Sequence, residues 1–131
     1  MKFLAIIYND ESSYATATQD DIGAIFAAHG KFGEDAGKAG VLLGGEGLEP
    51  TAAATTVRVR DGERMLTDGP YAETKEQLGG YYLLECKDLD DALTWAAQIP
   101  EAKTGAIEVR PIMDYAALEA GSSAVSEPAA S

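Results

Sequence analysis

His29 is the side chain best suited to move a proton near neutral pH. It is the only histidine in the chain, and an unperturbed imidazole has a pKa of about 6.5. The apolar residues around it recur at spacings of three and four, so it lies on the apolar face of a predicted helix. Two roles fit that position: a packed histidine held by one hydrogen bond, or a general acid/base. With no second histidine in the chain, a metal site is not expected.

Asp68 is the second candidate, within the stretch "TDGPYAETKE" at residues 67–76. Its carboxylate can close an Asx-turn by accepting from backbone N–H groups, with Gly69-Pro70 completing the bend. It can also orient His29 or act as the base itself. The turn role is favoured, and the two roles are compatible, because a carboxylate held by backbone donors is already positioned as an acceptor.

Four further side chains are candidate substrate contacts. If Arg58 faces a cleft, it can hold an anionic substrate with two hydrogen bonds; if it faces water, it is an ordinary strand charge. Thr74 can cap a turn, and Lys75 can reach the rim of a cleft or a second subunit. Tyr81 and Tyr82 point to opposite faces of a predicted strand, so one of the two lines the cleft or a dimer core. Tyr81 is the predicted contact.

Composition and charge exclude several classes of protein. The chain has 131 residues, enough for one domain. Its net charge of −12 argues against direct binding of nucleic acid, which depends on Lys and Arg. The single cysteine, Cys86, allows no internal disulfide, and its apolar flanks predict a buried strand thiol rather than a nucleophile. No apolar run is long enough for a membrane span and no signal peptide is recognised, so a cytoplasmic location is expected.

Alternating and helical patterns predict the element order β-α-β-hairpin-β-α-β over residues 1–114. Thr18 and Asp21 are typical of a helix start, Gly40 of its end, and Asp61-Gly62 of a tight hairpin. This order predicts a ferredoxin-like α+β sandwich, with both helices on one face of an antiparallel sheet. The other sheet face would be covered by a second copy of the chain, which predicts a homodimer. Residues 115–131, rich in Ala and Ser, are expected to form a flexible tail.

Several segments resemble one family. "TDGPYAETKEQLGGYYLLE", "DLDDALTWAAQIP" and "IEVRPI" are similar to the DGPF subgroup of the YCII-related (YciI-like) superfamily, with Tyr71 where the subgroup usually has Phe. The resemblance covers roughly residues 1–114. It implies a dimeric α+β barrel with a cleft between the helices and the sheet. Arg110 matches the family pattern and is expected to pair with an acid such as Glu73 or Glu108.

The resemblance also bears on function. The wider group has a histidine on its first helix that is proposed to pair with an acid, and His29 stands at the matching distance before Gly40 and "VLLGGEG". This implies a lyase or isomerase without a cofactor, acting on a small cyclic or phenolic acid, with His29 and Asp68 as the catalytic pair. The alternative is a non-catalytic module that binds a small molecule or serves as a regulatory accessory, because related proteins are associated with sigma factors. A dimeric scaffold without a ligand is the third alternative.

Overall fold

A four-stranded antiparallel sheet is the frame of the protein, seen in a computed structural model that describes residues 1–121. Its strands are β1 (Lys2–Asn9), β2 (Leu42–Gly47), β5 (Gln77–Glu85) and β6 (Ala106–Pro111), in the order β2-β5-β1-β6. Two helices connect them, α1 (Gln19–Lys38) and α2 (Leu89–Ala96). This is the ferredoxin-like α+β arrangement that the sequence predicts.

The ends of both helices follow from local side chains. At the start of α1, Thr18 Oγ1 accepts from the Asp21 N–H at 3.1 Å, and the Asp21 carboxylate accepts from the Thr18 N–H at 3.0 Å. Gly40, with φ +73°, ends α1 in the left-handed conformation that glycine adopts without strain. Asp88 caps α2 by accepting from the Asp91 N–H at 2.8 Å. The predicted start of α1 and its predicted glycine stop are therefore confirmed.

The inserted hairpin forms a separate two-stranded sheet, β3 (Thr55–Arg60) and β4 (Glu63–Asp68). Arg60 pairs with Glu63, and the two residues between them, Asp61 and Gly62, have φ values of 53° and 78°. Two positive φ values in a two-residue loop define the type I′ turn that Asp-Gly favours. The predicted hairpin is confirmed.

The core lies between the four-stranded sheet and the two helices. Alternate residues of β1 face it, and they are almost fully buried. Its buried members are Phe3, Ala5, Ile7, Phe32, Ala36, Val41, Leu84, Cys86, Ala92, Ala96 and Ile99. Both helices contribute to this one cluster, so both cover the same face of the sheet. Cys86 is buried as expected, and burial is the main cause that raises the pKa of its thiol.

β6 approaches β1 very closely where it begins. A Cβ atom at Gly105 would overlap the backbone carbonyl oxygen of Tyr8 and lie 3.1 Å from the Asn9 Cα atom. These neighbours are backbone atoms of the sheet, so they cannot turn aside as a flexible side chain could. Only glycine therefore fits at this position without moving β1 and β6 apart.

The segment that the sequence predicts as a flexible tail begins with a short helix, α3 (Tyr115–Gly121). Alanine has the highest helix propensity of any residue, and residues 115–121 contain three alanines. The rest of the predicted tail, residues 122–131, lies outside the described residues. Among the residues that are described, no helix is long and apolar enough to cross a membrane.

Candidate functional site

His29 lies in the second half of α1, on the side that faces the sheet. Its Nδ1 atom is 2.7 Å from the hydroxyl oxygen of Tyr82, and its Nε2 atom is 2.8 Å from Oε2 of Glu101. Both ring nitrogens therefore have hydrogen-bond partners, on β5 and after α2. The carboxylate that contacts His29 is that of Glu101, not of Asp68, so the predicted pairing of His29 with Asp68 is not the one in this structure.

Glu101 is positioned by the 3₁₀ turn Pro100–Ala102, which follows α2. The turn is fixed on one side by Ile99, which is only 1% exposed in the core, and on the other by the Gly105 N–H, which donates to the Glu101 carbonyl at 2.8 Å. Glu101 is itself 7% exposed, the one charged residue among residues 1–121 that is buried. Its Oε1 atom has no hydrogen-bond partner within the described part of the chain.

Tyr82 projects from β5 toward α1. Its ring packs against Phe32, with 4.8 Å between the ring centroids, and lies 5.9 Å from the His29 ring. Burial raises the pKa of the Tyr82 hydroxyl, and the negative charge of Glu101 raises it further. The hydroxyl therefore keeps its proton throughout the neutral range.

The two partners of His29 determine which ring nitrogen carries the proton. When the Glu101 carboxylate is ionised, it can only accept, and Nε2–H donates to it. Nδ1 then has a free lone pair and accepts from the Tyr82 O–H. The arrangement is a carboxylate, an imidazole and a hydroxyl in series, in which the carboxylate fixes the ring and stabilises the imidazolium that forms when Nδ1 takes up a proton.

This series borders a cavity of about 560 Å³ between α1 and the sheet, a size common for small-molecule sites. Some of the large apolar side chains that line the cavity are exposed to solvent at its opening, which we call the mouth. Phe26 is 71% exposed and Leu48 is 50% exposed. The lining residues are Ile7, Asn9, Glu11, Tyr14, Ile22, Ile25, Phe26, His29, Gly45, Glu46, Gly47, Leu48, Glu49, Pro50, Gln77, Leu78, Gly79, Gly80, Tyr81, Tyr82 and Glu101.

The structure brings two of the predicted site residues, His29 and Tyr81, to this cavity. Strand alternation, however, turns the Tyr81 side chain to the sheet face opposite Tyr82, so a substrate contact by that side chain stays a prediction. Asp68 is exposed at the end of β4, opposite Thr55, and is not among the lining residues. A catalytic role for Asp68 stays a prediction that no contact among residues 1–121 supports.

The other predicted contacts also lie outside the cavity lining. The Arg58 guanidinium sits 5.6 Å from the centroid of the Tyr71 ring. Thr74 Oγ1 donates to the Glu76 carbonyl at 2.5 Å, which is the turn-capping role considered for it, and Lys75 is exposed beside it. Substrate binding by Arg58, Thr74 and Lys75 remains a prediction. Arg110 pairs with Glu108 at 2.6 Å, as expected.

Sequence reasoning misses Glu101 and does not select Tyr82. Glu101 follows Pro100, which indicates only a helix stop, and an acid in a first turn is ordinarily exposed. Alternation alone does not say which of Tyr81 and Tyr82 meets His29; the sequence analysis selects Tyr81, whereas Tyr82 is the one that contacts His29. Within residues 1–121, no three His, Cys, Asp or Glu side chains converge as metal ligands would.

Known proteins resemble this chain over most of its length. The model of the YCII-related domain family matches residues 1–116. The chain is also 40% identical over 121 residues to an uncharacterized protein of Rhizobium meliloti, an alignment that covers 88% of this chain and 94% of that protein. The residues matched by the family model include His29, Tyr82 and Glu101, all three members of the hydrogen-bonded series.

Proposed function

This chain belongs to the YCII-related domain family, and from that premise we propose that it is a cofactor-independent enzyme of lyase or isomerase type. His29 is its general acid/base. The observation that carries the proposal is the series Glu101–His29–Tyr82 at the edge of a cavity. In this series Glu101 contacts one imidazole nitrogen, and the other nitrogen faces a hydroxyl and can accept a proton.

In the proposed reaction, the substrate binds between Tyr82 and His29 and replaces the hydrogen bond between them. A small cyclic carbonyl compound displaces the Tyr82 O–H from Nδ1 and presents a carbon-bound proton next to its carbonyl. Nδ1 takes that proton, which gives an imidazolium and an enolate. Tyr82 donates its freed O–H to the enolate oxygen, and its raised pKa keeps it a neutral donor. Return of the proton to another atom completes an isomerisation. In an elimination, the enolate expels a leaving group from the neighbouring carbon as the double bond forms, and the imidazolium gives its proton to that group.

Glu101 supports this step without touching the reacting carbon. Its Oε2 atom holds Nε2–H at 2.8 Å, so the ring keeps one orientation and the tautomer in which Nδ1 is basic. The carboxylate charge also stabilises the imidazolium once it forms. In this role Glu101 is a positioning residue.

Hydrogen–deuterium exchange on simple cyclic carbonyl compounds tests the proposed proton transfer. Cyclohexanone, γ-butyrolactone and similar compounds are incubated with the protein in D₂O, and loss of the proton signal next to the carbonyl is followed by NMR. We expect the wild type to accelerate exchange on at least one compound. His29→Asn should lower that rate about 100-fold or more, because it removes the proton acceptor.

Lys38→Gln is the matched control for this assay, since Lys38 lies on the same helix with a side chain that is 76% exposed. It should exchange at the wild-type rate. Exchange by His29→Asn at the wild-type rate would contradict the proposal.

The alternative, a non-catalytic binding module, has one observation in its favour: both ring nitrogens of His29 already have hydrogen-bond partners in the protein. That alternative predicts ligand binding with no exchange on any compound.

We also propose that the protein is a homodimer through the open face of its sheet. Alternation places Leu4 and Ile6 of β1 on that face, and both are only partly buried. The separate hairpin adds exposed apolar side chains at Val57 and Leu66, which are 58% and 59% exposed. Leu43 on β2 is 48% exposed. Apolar surface of this kind marks interaction sites. Sedimentation equilibrium should give twice the chain mass of 13.7 kDa, and a monomer at micromolar concentration would contradict the dimer.

A further inference from the structure

The charges around the cavity are of one sign. Four of the lining residues are glutamates, Glu11, Glu46, Glu49 and Glu101, and none of the described residues that line it is Lys or Arg. His29 is the one lining group that can carry positive charge, and Glu101 already accepts from it. The whole chain adds a net charge of −12. A ligand that enters this cavity therefore meets a negative potential.

The acids are placed at different depths. Glu46 and Glu49 are exposed, on β2 and just beyond it, so they border the mouth. The Glu11 carboxylate is fixed by Thr51, whose backbone N–H donates to it at 3.1 Å and whose hydroxyl donates to its other oxygen. Glu101 lies deepest and is 7% exposed.

Glu101 offers an acceptor that the described protein groups leave unsatisfied. One of its oxygens is bound to His29, while Oε1 is buried and has no partner among residues 1–121. A buried carboxylate oxygen is stabilised by an N–H or O–H donor, and most strongly by a charged one. A ligand with an ammonium group supplies such a donor, whereas a ligand carboxylate would add like charge beside it.

Most of the other side chains in the lining are aromatic or aliphatic, and the amides of Asn9 and Gln77 are the remaining polar ones. Tyr14, Ile22, Phe26 and Leu78 are exposed by 41%, 37%, 71% and 44%, so the mouth offers apolar contacts that solvent now covers. Such a surface suits a ring or other compact apolar body, and aromatic faces also attract cations.

We propose that the ligand of this cavity is a small organic amine, protonated at neutral pH and attached to a cyclic apolar body. The ammonium group is held by the glutamates, and the ring lies against the apolar mouth. This inference rests on the proposed function for the site and specifies its substrate class: the cyclic carbonyl compound of the proposed reaction also carries the ammonium group. It departs from the phenolic or cyclic acid that the family resemblance implies, because that acid would bring its charge to four carboxylates and no Lys or Arg among the described lining residues.

Calorimetric titration with three matched probes tests the proposal: 2-phenylethylamine, 2-phenylethanol and 3-phenylpropionate. They share a ring and a short chain and differ in charge. We expect the amine to bind at least tenfold more tightly than the carboxylate, with the affinity of the alcohol between the two. Added salt should lower the affinity for the amine but not that for the alcohol. Equal or tighter binding of the carboxylate, or no measurable binding of the amine, would overturn the proposal.

Paired variants separate the cavity from the overall charge of the protein. The double variant Glu46→Gln/Glu49→Gln should lower the affinity for 2-phenylethylamine at least fivefold. Glu34→Gln/Glu63→Gln removes the same charge from exposed positions outside the cavity and should leave its affinity within twofold. An equal loss in both pairs would assign the effect to net charge and overturn the proposed site.

His29→Asn distinguishes this inference from the proposed function. If that variant loses deuterium exchange but still binds the amine more tightly than the carboxylate, both proposals hold. If the wild type prefers the amine but exchanges no compound, the catalytic proposal alone fails. If exchange depends on His29 while the carboxylate binds more tightly, the amine proposal alone fails.

Discussion

Gly105→Ala is expected to lower the free energy of unfolding by about 3 kcal/mol or more. The added Cβ atom would overlap the Tyr8 carbonyl oxygen, a backbone atom within the sheet, so β1 and β6 must separate to admit it. The same shift would disturb the turn that holds Glu101, because the Gly105 N–H donates to the Glu101 carbonyl at 2.8 Å. Urea denaturation followed by circular dichroism measures the effect.

Gly37→Ala is the matched control, the same substitution on the exposed side of α1. No atom lies within 4 Å of a Cβ placed there, and alanine favours the helix over glycine. We expect it to raise the free energy of unfolding by about 0.5 kcal/mol. Equal effects of the two substitutions would show that β6 does not approach β1 as closely as described.

His29→Leu is the substitution with the second-largest expected effect, a loss of about 3 kcal/mol of stability. It removes the hydrogen-bond donor to Oε2 of Glu101. Because Oε1 has no partner among residues 1–121, neither oxygen of this carboxylate, which is 7% exposed, then has a hydrogen bond. The double variant His29→Leu/Glu101→Leu replaces the whole pair by apolar side chains. It should be more stable than His29→Leu alone, because no unpaired charge remains buried. Thermal and urea denaturation of the wild type, His29→Leu, Glu101→Leu and the double variant give the coupling energy between the two side chains.

Lys31→Leu is the control for this cycle. Lys31 forms an ion pair with Asp35 on the same helix, but its side chain is 77% exposed. Exposed pairs contribute little, so the change should stay within about 0.5 kcal/mol. If His29→Leu proves no more destabilising than Lys31→Leu, the pair of His29 and Glu101 is not the buried interaction inferred from its geometry.

Local signals predict the elements of the fold well. The start of α1 depends on Thr18 and Asp21, its end on Gly40, and the hairpin on Asp61-Gly62, and each acts within a few residues of chain. Once these elements are fixed, the alternation of buried residues in β1 and the apolar faces of the helices leave few arrangements of the layers. The sheet order follows from that limited choice.

The site can be predicted only in part, because its contacts are not local. The sequence identifies His29 by its chemistry and its helix face, but the partners of His29 are set by how the sheet and the end of α2 pack against α1. A glutamate after a proline carries no sign that it will be buried. Sequence reasoning favours a turn role for Asp68 and offers its pairing with His29 as the second role. Asp68 lies at the end of the hairpin, and in the structure the carboxylate beside His29 is that of Glu101.

The hydrogen bonds of His29 join residues that are 53 and 72 positions apart in the chain. Contacts this distant form only when long loops close, so they exist in the folded chain and not in its isolated elements. A chain that has formed α1 and the hairpin, but has not yet packed α2 onto the sheet, contains no Glu101 beside His29. Any molecule that binds at this place therefore recognises completely folded chains alone, and its presence shifts the folding equilibrium toward them in proportion to its affinity.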